Sequence, residues 1–134
     1  MNNPEFLEKV RQTFANDRFA TEATGILIAD VADNYAKCEL TIESRHCNAL
    51  GAVMGGAIFT LADFCFAVAA NANELSTVSV ASNINYLNSA KGKKLIAEAK
   101  CLKSGKRTCF FRINVADELG NAVAEVTTTG CRIS

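Results

Sequence analysis

Apolar residues recur first at helical spacing: Phe6, Leu7, Val10 and Phe14 share one stripe within residues 3–16. Pro4 suits a first helical turn, where its missing N–H is no loss. A single stripe predicts a surface helix packed against another element. The period then changes. Residues 25–33 (GILIADVAD) and 34–43 (NYAKCELTIE) alternate apolar and polar side chains, as half-buried strands do. Asp33-Asn34 between them is turn chemistry, which predicts a hairpin.

After a loop, residues 57–72 (AIFTLADFCFAVAANA) are too long for a strand and rich in alanine, so they read as a helix. That helix is apolar nearly all round, which predicts burial at the centre of the fold. Strand patterning then returns in residues 77–87, 94–103, 107–117 and 122–133, joined by turn-forming runs at 88–92, 103–106 and 117–121. Short connections between successive strands predict an antiparallel meander. The order predicts one α+β domain over residues 1–134, with about six antiparallel strands wrapped around a long central helix and an N-terminal helix beside them. Sheet edges need covering, so a dimer made by edge-to-edge pairing is expected.

Composition narrows the function classes. A chain of 134 residues, 49% hydrophobic, can build a full core. Its 14 basic and 14 acidic residues are interspersed and cancel, which excludes the basic footprint of a nucleic-acid binder. The longest apolar run, 57–72, is broken by Asp63 and shorter than a membrane span of about 20 residues. The first ten residues carry acids and no apolar signal region, so a soluble cytoplasmic protein is expected. Six cysteines without any C-x-x-C spacing, and the single histidine His46, predict free thiols and no metal site.

Three local features can carry chemistry. Gly55-Gly56 precedes the central helix, where free N–H groups and the helix dipole stabilise an anion and glycine admits a close ligand. A plain, closely packed helix start explains the pair equally simply. Asp63 lies in an apolar run, and a buried unpaired carboxylate costs several kcal/mol. Residue type leaves it open between a solvated or paired Asp and a pocket base or nucleophile. Asn48 and His46 stand in the loop before the glycines, where Asn can orient a water or carbonyl or simply form a turn. A serine nucleophile at Ser79 would need a base, and no G-x-S-x-G elbow is present.

Taken together, Asn48-x-x-Gly51-x-x-Met54-Gly55-Gly56 followed by Leu61-Ala62-Asp63 resembles the hotdog thioesterases of the phenylacetic-acid-degradation (PaaI-like) type. The strand 78–87 resembles that family's strand after the central helix, and the likeness covers residues 20–134. The resemblance implies a hotdog fold and hydrolysis of an aryl- or short/medium-chain acyl-CoA in a site built at a dimer interface. It implies Asp63 as general base or nucleophile, the Gly55 N–H as oxyanion donor, and Asn48 from the second subunit placing water or substrate. Ser79 matches an assisting serine. Beside these, Gly56, Met54, His46, Phe59 and Phe64 are expected as substrate contacts from their places in the loop and on the helix, although aromatic residues on a buried helix equally serve as core. No metal or redox cofactor is implied, coenzyme A entering only as part of the substrate. A homodimer assembling to a homotetramer is implied, with Lys91, Lys93, Lys94, Lys103, Lys106 and Arg107 available to the CoA phosphates.

One position departs from the family pattern: Met54 stands where the family has a histidine. Methionine donates no hydrogen bond but can line an apolar acyl pocket. A non-catalytic acyl-CoA-binding hotdog protein is therefore the alternative reading, and a hydroxyacyl-thioester dehydratase, which needs an active His, ranks behind both.

Overall fold

The computed structural model describes residues 3–133, which form helix α1 (Pro4–Phe14), strands β1 (Leu27–Ala32) and β2 (Tyr35–Thr41), helix α2 (Gly55–Asn71), and strands β3 (Thr77–Tyr86), β4 (Lys94–Ser104), β5 (Thr108–Asp117) and β6 (Ala122–Arg132). A π-helical turn at Phe19–Thr24 and a short 3-10 turn at Ser44–His46 were not predicted from the sequence pattern. Asn3 caps α1, its Oδ1 accepting from the Glu5 and Phe6 N–H groups at 3.1 Å. The predicted stripe of α1 is the face that packs: Val10 and Phe14 are buried, and Phe6 and Leu7 lie against the core.

The strands form one antiparallel sheet in the order β1-β2-β4-β5-β6-β3. It curls around α2, whose Leu61, Ala62, Phe64, Cys65, Phe66, Val68 and Ala69 are buried. Phe66 meets Phe111 of β5 edge to face at 5.3 Å, and Phe14 meets Phe64 at 6.0 Å. These contacts fix the helix between the sheet and α1, and the arrangement is the hotdog fold expected from the resemblance. All six cysteines are free thiols, and no described helix is long and apolar enough to cross a membrane.

The predicted meander needs correction at β3. Strands β4, β5 and β6 do form one, but β3 pairs with β6 at the far edge of the sheet. The segment after β3 must therefore cross the ends of β6 and β5 to reach β4. Asp117, at the β5–β6 turn, carries that crossing by accepting the Lys91 and Gly92 N–H groups as well as those of Leu119 and Asn121. Burial pushes the Asp117 carboxyl up, but the hydrogen bonds from Asn121, Lys91 and Gly92 outweigh it and hold the group well below the usual carboxylate range.

Asn71 closes the C-terminal end of α2. Its Nδ2 donates to the Ala67 and Thr77 carbonyls at 3.0 Å, and its Oδ1 accepts from the Ser76 and Thr77 N–H groups at 2.9 and 2.8 Å. Removing that amide strands buried donors, so Asn71→Ala is expected to cost about 2–4 kcal/mol. A fall in the urea midpoint at unchanged m would report it; an unchanged midpoint would show that water replaces the side chain.

Candidate active site

The loop before α2 is built to present its backbone. His46 is 4% exposed, and both ring nitrogens are committed within the fold. The Glu43 N–H donates to Nδ1 at 2.9 Å, and Nε2 donates its proton to the Thr24 carbonyl at 2.7 Å. His46 therefore braces the loop against the π-helical turn with both ring nitrogens already bonded, while its ring still lines the groove described below. Asn48 also spends an atom locally: its Oδ1 accepts from the Leu50 and Ala52 N–H groups at 2.9 and 3.1 Å. Its Nδ2 makes no hydrogen bond among the described residues, and the side chain is exposed. The turn it makes requires Gly51, whose φ of +85° is disfavoured for side-chain-bearing residues.

Helix α2 begins at Gly55, two positions earlier than the apolar pattern predicts, with Met54 as an extended N-cap. Glycine's low helix propensity hides the first turn from a pattern based on apolar residues. Gly55 and Gly56 thus occupy the first two helical positions, whose N–H groups have no intrahelical acceptor. Neither donates a hydrogen bond elsewhere among the described residues. The Tyr86 hydroxyl donates to the Gly55 carbonyl at 3.0 Å, and a Cβ on Gly55 would come within 3.0 Å of that ring. Gly56 has open space around its Cα.

Asp63 is half-buried and joins no ion pair or hydrogen bond among the described residues. Burial, and then the negative charge of Asp17, push its carboxyl above the ordinary value. Asp63 pairs with no lysine or arginine among the described residues. It opens into a cleft of about 310 Å³ walled by Phe19, Ala20, Thr60, Phe64 and Ala67, with Asp17 and Arg18 at the rim. Next to it, a cleft of about 390 Å³ is lined by Phe19, Ala23, Thr24, Arg45, His46, Met54, Gly56, Ala57 and Thr60. Gly56, Thr60, Asp63 and Ala67 follow one another on a single face of α2, so the two clefts form one groove beneath the N-terminal segment.

The other expected site residues divide. Met54 is 48% exposed and lines the groove. Phe64 is a core residue that shows an edge to the Asp63 cleft, whereas Phe59 packs against the core away from the groove. Ser79 sits exposed on edge strand β3 and lines neither of these two clefts. The basic residues that run together in the sequence separate in space. Lys91, Lys93 and Lys94 lie at one end of β4, and Lys103, Lys106 and Arg107 lie at the other, on the order of 30 Å away. Lys94 is already paired with Glu39 at 3.2 Å. Sequence reasoning missed Asp17, Phe19 and Thr60 as groove residues, because only the π-helical turn that folds residues 19–24 back over α2 brings them together.

The thioesterase superfamily model matches residues 50–124, the stretch from the loop before α2 to the start of β6. Acyl-coenzyme A thioesterase PaaI of Escherichia coli is 31% identical over 112 residues, covering 83% of this chain and 79% of the relative. Human acyl-coenzyme A thioesterase 13 is 32% identical over 104 residues, covering 75% and 74%. The solved structure of the E. coli PaaI protein superposes with a TM-score of 0.89 at 25% identity, covering 97% of this chain and 95% of that one. An apolar central helix with free N–H groups at its start and an unpaired carboxylate two turns on is thus set in a fold shared along nearly the whole chain, which belongs to the thioesterase superfamily as a PaaI-like hotdog thioester hydrolase.

Proposed function

We propose that the protein hydrolyses aryl- or short/medium-chain acyl-CoA thioesters in two equivalent sites of a homodimer. The observation that carries this reading is the position of Asp63: a half-buried carboxylate that forms no ion pair among the described residues, at the wall of an apolar cleft. Asp63 removes a proton from water as it attacks the thioester carbonyl, the C–S bond breaks, and the departing CoA thiolate takes up that proton. Alternatively the Asp63 carboxylate attacks directly and CoA leaves; water then hydrolyses the resulting anhydride, which frees the acid, regenerates Asp63 and supplies the thiol proton. The N–H of Gly55, at the positive end of α2, receives the carbonyl oxygen as it gains charge. Asn48 offers its free Nδ2 to the water or the carbonyl. Ser79 assists from β3.

Geometry supports the second subunit. Gly55 and Asp63 are eight residues apart on one straight helix, about 12 Å along its axis. A single carbonyl cannot lie in contact with both, whereas two antiparallel copies of α2 would bring Asp63 of one protomer toward Gly55 of the other. Strand β3 offers the surface for such pairing. It is ten residues long, an edge strand without charge or proline, and Val78, Val80 and Tyr86 are exposed along it. Edge strand β1 is shorter, bulged between Ile28 and Asp30, and covered by α1, whose Arg11 Nε donates to the Ile28 carbonyl at 3.0 Å. Two such dimers would pack into the tetramer.

Thiol release from a panel of benzoyl-, butyryl- and octanoyl-CoA tests the activity, and silence toward the whole panel would refute it. The pH profile tests the residue. Because Asp63 works ionised, kcat/KM falls as acid protonates it, and the raised carboxyl places that limb above the ordinary value of about 3.9. Asp17→Asn removes a neighbouring negative charge, so the limb is expected to move to lower pH. A shift upward, or no shift, would mean that another group controls the limb.

A further inference from the structure

We propose that Phe19 is the specificity-determining residue of the acyl site, a partition that stops the acyl group at the end of the Asp63 cleft. This rests on the proposed thioesterase activity and goes beyond it by naming what limits acyl length. Phe19 is 70% exposed although it is a phenylalanine, and its ring lines both halves of the groove. On one side lies the cleft holding Asp63, Thr60 and Phe64; on the other lies the cleft reaching Met54 and Gly56. Thr60, the other residue common to both, is tied down, its hydroxyl donating to the Gly56 carbonyl at 2.8 Å.

The backbone under Phe19 is fixed. It opens the π-helical turn Phe19–Thr24, and single turns of this kind often occur at functional sites. Ala20 and Thr24 of the turn are buried, the Thr21 N–H donates to the Asp17 carbonyl at 2.9 Å, and the Thr24 carbonyl holds His46. A rigid backbone thus carries an exposed aromatic ring across an apolar groove. That ring loses water contact when an acyl group lies against it, which makes it a contact surface as well as a wall. An acyl chain entering beside Asp63 meets the ring before it can reach the Met54 half, so the stretch of cleft on the near side of Phe19 sets the limit.

The test is a chain-length series from butyryl- to dodecanoyl-CoA, with benzoyl-CoA, read by thiol release from wild type, Phe19→Ala and Phe19→Trp. Phe19 is mainly exposed, so both variants are expected to keep the thermal midpoint of the wild type. Phe19→Ala joins the two clefts and is expected to raise the dodecanoyl-to-butyryl ratio of kcat/KM by about tenfold or more. Phe19→Trp is expected to lower the longest chain accepted. If both variants keep the wild-type chain-length profile, the partition is refuted while the thioesterase reading stands. If wild type itself releases thiol from no ester, the activity reading falls and the partition with it.

Discussion

Asp63→Asn is expected to lower kcat for thioester hydrolysis by about 10²–10⁴-fold, the range for loss of a positioned general base, and at the same time to stabilise the protein at neutral pH. The two effects share one cause. A carboxyl raised by burial and by Asp17 is more easily protonated in the folded chain than in the unfolded one. The folded state then binds more protons over the interval between the two values, so stability falls as pH rises through it. Asn keeps the shape and removes the charge, which removes that loss. Thermal midpoints of wild type and variant should therefore converge in acid, where Asp63 is protonated, and separate at neutral pH with the variant higher. A structural Asp with no role in the chemistry would leave turnover intact, and that single result would sink the assignment.

Gly55→Pro is expected to reduce kcat by about 10²–10³-fold, the cost of deleting one oxyanion donor, with the helix preserved. Gly55 is the first residue of α2, the position where proline is best tolerated because its N–H has no helical partner. Met54 before it already has φ −62° and ψ 141°, the extended backbone that a following proline demands. The new ring must displace Tyr86, whose ring tip would lie 3.0 Å from a Cβ placed on this glycine. Gly55→Ala makes the same demand on Tyr86 but keeps the N–H. If the backbone donor matters, Ala retains most of the turnover that Pro loses, with KM changing little in either. Equal losses in the two variants would assign the effect to Tyr86 and crowding, and would remove Gly55 from the oxyanion role.

Much of the fold was legible because burial leaves a local imprint on sequence. The stripe Phe6, Leu7, Val10, Phe14 became the packed face of α1, and the alternation in β2 and β5 became alternating burial in the sheet. The all-round apolarity of residues 57–72 placed α2 at the centre, since a helix without a polar face has to be enclosed. The same logic failed for β3. Its residues alternate like those of its neighbours, yet nearly all of the strand is exposed, and it lies beside β6 rather than β4. Periodicity records which face of a strand is apolar but carries nothing about which strand lies alongside it. That choice belongs to the path of residues 87–93 and to the carboxylate of Asp117 that secures it.

The candidate site divides along the same line. Spacing alone set Gly55-Gly56 just ahead of the helix that carries Asp63, and the structure takes both glycines into its first turn. Tertiary structure decided what each could do. Only the folded chain brings Asp17 and Phe19 over Asp63, leaves that carboxylate out of any ion pair among the described residues, and spends both nitrogens of His46 on bracing a loop. Charge state and access depend on neighbours distant in sequence, and no local pattern encodes them.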